Sequence, residues 1–112
     1  MSEKGRERVI ARIETLDQAV KAEKDVEVGY HSAIDENITY WLASEEDIIE
    51  SYSTLVKNTK DPKVQQTLTE IIHDSQNHIR MLNSIKEAFN KILSDEHRHA
   101  KLLEELRDKS GQ

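Results

Sequence analysis

Two short patterns in the sequence could do chemistry. Glu96-x-x-His99 sets a carboxylate and an imidazole three residues apart, a spacing that on a helix puts both on one face where they can share a cation. Ser75-x-x-His78 repeats the spacing three heptads earlier, hence on nearly the same helical face. Carboxylate oxygens with one or two imidazoles suit iron or manganese, and zinc binds such a set as well. The plainer reading of Glu96 and His99 is a solvated coiled-coil terminus, where both residue types are common.

A third candidate, Glu45, falls in an otherwise apolar seam, and a buried carboxylate is costly unless it is paired or holds a cation. Its plain alternative is a hydrogen bond among Glu45, Tyr52, Ser75 and His78 that fixes helix register. Glu70-x-x-His73 has the same spacing as the first pattern but points away from the seam and reads as surface, as does His97. Trp41 and Tyr52 read as core aromatics near Glu45, and His31 as a core histidine.

The elements that must position these residues are helices. Val64, Ile71, His78, Ile85, Ile92, His99 and Leu106 recur every seven residues, interleaved with Leu68, Ser75, Leu82, Phe89, Glu96 and Leu103, which predicts one helix over about 62–107. A break near Ser94-Asp95 would divide it, with Ser94 as a cap. Val9, Ile13, Leu16 and Val20 predict an amphipathic helix over about 3–28. A second helix, about 32–59, carries Ile34, Trp41, Ile48 and Leu55 against His31, Ile38, Glu45, Tyr52 and Thr59. Gly29, followed by Ser32 and Asp35, predicts a bend with a new helix start near 28–32.

Pro62 suits a helical first turn, where its missing N–H costs nothing. The short connection before it makes the flanking helices antiparallel. With the turn centred between Asp61 and Pro62, residues whose numbers sum to about 123 face each other. Glu45 then opposes His78, Glu27 opposes Glu96, and Glu23 or Lys24 comes near His99.

Composition narrows the partners. The formal charge of −6, with mixed signs along the chain, lacks the concentrated basic surface that nucleic acid requires. With no cysteine, any metal must be held by carboxylate and imidazole. No run approaches the roughly 20 apolar residues that span a bilayer, and no signal-peptide core is evident, so a cytoplasmic protein is expected. The thin apolar content leaves a small core, which a second copy of the chain would complete.

Leu42 to Leu82 and the run Asp95-Glu96-His97-Arg98-His99-Ala100-Lys101-Leu102-Leu103, together about half the chain, resemble the rubrerythrin branch of the ferritin-like superfamily. The resemblance implies a four-helix bundle holding two irons with four Glu and two His, used in peroxide reduction, oxygen activation or iron oxidation. Carried over by position, Glu45, His78, Glu96 and His99 match ligands, while Ser75 stands where a bridging Glu is expected. Without cysteines for a rubredoxin-type tail, a peroxidase role would need an external electron donor.

These readings combine into an expectation: residues 1–112 form a single all-α, ferritin-like domain of long antiparallel helices, completed as a four-helix bundle by homodimerisation. Two chains would pack antiparallel about an axis near Phe89, so that Glu45 and His78 of one copy meet Glu96, His99 and Glu27 of the other. The alternative architecture is a monomeric three-helix bundle. The alternative function is a non-catalytic oligomerisation or interaction module without the metal.

Overall fold

The structure is a computed structural model that describes residues 2–110. Every regular element among them is helical: α1 (Glu3–Ser32), a π-helical turn (Ala33–Ile38), α2 (Thr39–Asn58) and α3 (Pro62–Ser110). The chain divides into two compact units, one of Met1–His31 with Asn90–Gln112 and the other of Ser32–Phe89. We call them the terminal unit and the turn unit.

In the turn unit, α2 and the first half of α3 lie antiparallel across a three-residue connection. Thr59 leaves the helix in an extended conformation, its N–H still donating to the Leu55 carbonyl. Asp61 then caps α3: its Oδ1 accepts from the Lys63 N–H at 2.9 Å and from the Val64 N–H at 3.3 Å. Pro62 follows at the first helical position, where a missing donor costs nothing. The Gln65 side chain donates back to the Thr59 carbonyl at 2.9 Å and closes the turn.

The expected bend at Gly29 is not found. Gly29 lies inside α1 with no positive φ, and Ser32 is helical and makes no side-chain cap. The irregularity comes later, in the π turn, where the Ile34 carbonyl accepts from both the Thr39 N–H and, at 3.0 Å, the Thr39 hydroxyl. A π turn carries one extra residue relative to an α-helix. The covered positions shift accordingly: 9, 16, 23 and 30 in the terminal unit give way to 38, 45, 52 and 59 in the turn unit.

That one-residue slip changes which apolar residues form the turn unit's core. Leu42, Ile49 and Val56 are half-buried on α2, whereas Trp41, expected in the core, is 49% exposed and Leu55 is 50% exposed. His31, read as a core histidine, is exposed. Ile34 and Ile38 are the buried apolar side chains here, and Ser75 is the buried polar one among the described residues.

Along α3 the expected series Leu68, Ser75, Leu82, Phe89, Glu96 and Leu103 is covered. Its flank departs in part: Gln65, Ile72, Ile79, Lys86, Leu93, Ala100 and Arg107 on the other side are sheltered, and of the expected series Ile92 and His99 are half-buried while Val64, Ile71, His78, Ile85 and Leu106 remain open. No break occurs at Ser94-Asp95, where α3 is continuous.

In the terminal unit, Leu16, Val20, Leu93 and Ala100 supply the buried apolar surface. Ion pairs at its margins join α1 to the last part of α3: Arg107 to Asp17 and Lys24 to Glu104, each at 2.9 Å. They fix the two segments as antiparallel.

Candidate metal centre

The terminal unit brings four acids and imidazoles together from two helices. Glu23 and Glu27 are one turn apart on α1 and so share a face, and both are half-buried toward α3. From α3 come Glu96 and His99, likewise half-buried. Glu23, Glu96 and His99 each place one ligand atom within 4.8 Å of the other two. His99 Nδ1 lies 3.7 Å from Glu23 Oε2, too far for a good hydrogen bond. Two donors about 2.1 Å from a common ion are roughly 3–4 Å apart, so a small closure of these side chains would seat a cation.

The carboxylates carry the sign of something missing. Glu23 Oε2 and Glu27 Oε1 are both shielded from solvent without a hydrogen-bond partner, a costly state for a charged oxygen. The neighbouring cations are paired with other acids. Lys24 binds Glu104 and holds its carboxyl below the ordinary range. Lys91 does the same to Asp95, and the Arg107 pKa is raised above its ordinary value first by its hydrogen bond to Asp17.

The turn unit holds a smaller constellation. His78 Nδ1 lies 3.2 Å from Glu45 Oε1, as the pairing about the turn predicts. Glu45 Oε2 is buried with no partner, and Ser75, 3% exposed, lies one turn before His78 on the covered series of α3. The pair sits in an open groove of about 310 Å³ lined by Trp41, Ser44, Met81 and Leu82.

The five sequence candidates therefore divide between two places. Glu96 and His99 group in the terminal unit; Glu45 and His78 pair in the turn unit. Glu27 stands 3.8 Å from His97, not within the three-donor group. Glu23, which the pairing rule placed near His99 but which was not counted as a ligand, completes that group. Its signal was in the sequence: it continues the seven-residue series of Val9 and Leu16 as an acid where an apolar residue would pack. Glu70 and His73 are exposed. No described helix is long and apolar enough to cross a membrane. No protein-family model, curated protein or solved structure matches the chain.

Proposed function

We propose that the chain is a ferritin-like metal-binding helical protein that holds iron or manganese between α1 and α3, with Glu23, Glu96 and His99 as ligands and Glu27 as a reserve carboxylate. One observation carries this reading: three ligand atoms from two helices converge within 4.8 Å while Oε2 of Glu23, one of the three residues, is shielded from solvent without a hydrogen-bond partner. Glu23 and Glu96 would neutralise a divalent ion, and His99 would offer Nδ1 as a neutral nitrogen donor. A bound iron or manganese would supply an open Lewis-acid or redox position. The self-associated form, two copies making a four-helix bundle, belongs to the same proposal.

A second reading has its own observation. The turn unit exposes Trp41, Leu55, Val64, Ile71, Met81 and Ile85, a surface that suits a helical oligomerisation module with or without metal.

Metal analysis separates the two. Protein purified without chelator and titrated anaerobically with Fe(II) or Mn(II) is expected to take up about one ion per chain and to melt at a higher temperature when loaded. Glu96→Ala should abolish uptake while preserving helicity. A metal-free oligomer whose melting is unchanged by either ion overturns the metal reading in favour of the module.

A further inference from the structure

The open side of the turn unit is complementary to itself, as a two-fold interface between identical chains requires. Three grooves follow one side of the α2–α3 pair. Leu55 borders the first with Val64 and Leu68, Trp41 the second with His78 and Met81, and Trp41 again the third with Ile85. Ile71 joins them by spacing, midway between Val64 and His78 on the same stripe of α3. Six apolar side chains on this side are between 37% and 62% exposed. At roughly 100–250 Å² for each whole side chain, the open part is on the order of 500 Å². A stable interface buries about 800 Å² per partner, of which about 65% is apolar when the interface joins identical chains. The face supplies that share.

The spacing of these residues fixes a register. Val64 and Ile85, Leu68 and Met81, and Ile71 and His78 stand at equal distances on either side of the point between Asp74 and Ser75. On α2, Trp41 and Leu55 stand at equal distances on either side of Ile48. The two midpoints share one level of the hairpin: the Glu45 and His78 contact of 3.2 Å aligns the helices, and one helical turn closer to the connection along each brings Ile48 level with Ser75. A single two-fold axis therefore serves both helices. Crossing the face at that level, it stacks α2 on α2 and α3 on α3, each pair antiparallel, with the two hairpin turns at opposite ends.

We propose that a second copy of the chain docks on this face in that register. Trp41 of each copy packs on Leu55 of the other, Val64 on Ile85, and Leu68 on Met81, while Ile48 meets its own copy at the axis. Aromatic side chains and Met are the types enriched at such surfaces, and Trp41 is the natural anchor among them. The inference rests on the self-association in the proposed function and adds its surface and its register. It also moves the two-fold away from Phe89, about which Ile71 would stand opposite Arg107.

One contact opposes the dimer and marks its register. Asp74 is exposed on α3 and falls beside the axis, so the carboxylates of the two copies approach each other where α3 crosses α3. Like charges set against each other weaken an interface. Removing the charge at position 74 therefore strengthens a dimer in this register, and a thiol placed there meets its own copy.

Sedimentation equilibrium of the full chain in chelator tests the surface, and oxidative cross-linking tests the register. The natural chain is expected to be a dimer. Trp41→Ala and Ile71→Lys, with helicity checked by circular dichroism, should each raise the dissociation constant at least about tenfold. Asp74→Asn should lower it at least about threefold at low salt. The sequence has no cysteine, so a disulfide in a single-cysteine variant joins two copies. Asp74→Cys should give a covalent dimer under mild oxidation, and Arg80→Cys, exposed on another side of α3, should not. A dimer that tolerates both Trp41→Ala and Ile71→Lys, or equal cross-linking at positions 74 and 80, overturns this interface and leaves self-association standing. A monomer under every condition overturns both.

Discussion

The two units are built alike and finished differently. Each packs two antiparallel helical segments and each sets an acid on one against an imidazole on the other. In the terminal unit the polar centre has three donors from a single chain, Glu23, Glu96 and His99, between buried Leu93 and Ala100. In the turn unit it has Glu45 and His78 only, with a buried Ser75 one turn away and an apolar face left open. The same hairpin logic gives one cluster of three donors and one pair beside an open groove. The arrangement of donors, rather than their number in the sequence, separates the two.

The largest expected effect lies in the core of the turn unit. Ile38 is 2% exposed and stands at the end of the π turn, so Ile38→Ala should cost about 2–4 kcal/mol in urea unfolding. Ile85→Ala, on the open face, should cost the isolated chain less than about 1 kcal/mol. Equal losses would mean that the open face is packed within the chain and that the contrast between the units is false.

A smaller effect, of opposite sign, is expected in the terminal unit. Gly29 is helical, and a Cβ added there meets nothing within 4 Å. Gly29→Ala should therefore stabilise the chain by about 0.5–1 kcal/mol, visible as a higher melting temperature. A loss of stability would place a bend at Gly29 after all.

How much of this was legible follows from the geometry. The Asp61-Pro62 turn is local chemistry, and pairing counted from it placed Glu45 against His78 because few residues separate them from the turn. Farther away the same count identified Glu27 as a ligand and only named Glu23 as a neighbour of His99. The seam of α3 was readable along its central line, from Leu68 to Leu103. Its flank was not, because a heptad has two sides and the identity of the covered one depends on where the partner helix lies. The π turn was hidden for a related reason: Ile34 and Trp41 continue the earlier phase, so the extra residue leaves no gap in the apolar pattern. Only the eight-residue step from Tyr30 to Ile38 betrays it.

The smallest effect is on pH, and it again distinguishes the units. Asp95 and Glu104, both in the terminal unit, are held below their ordinary pKa by hydrogen bonds from Lys91 and Lys24. A carboxyl with a lowered folded pKa stabilises the fold above its unfolded pKa, and that contribution is lost as pH falls through the folded value. Both carboxyls keep about a third of their side-chain surface open, 35% for Asp95 and 32% for Glu104, so the effect is weak and screened by salt. Acid should nonetheless raise amide exchange, at matched intrinsic rates, in Asn90–Gln112 before it does so in Ser32–Phe89. Uniform loosening would remove this difference between the units.

The central claim, that the terminal unit closes a cation site within one chain, is tested most directly by calorimetric titration of metal-free protein with Mn(II), comparing the natural chain with Glu23→Gln. Glu23 is the ligand that the fold adds to the sequence motif, and glutamine keeps its shape while removing its charge. The account predicts saturable binding in the natural chain and at least about a tenfold weaker affinity in the variant, with helicity unchanged. Binding of equal strength in both would contradict it.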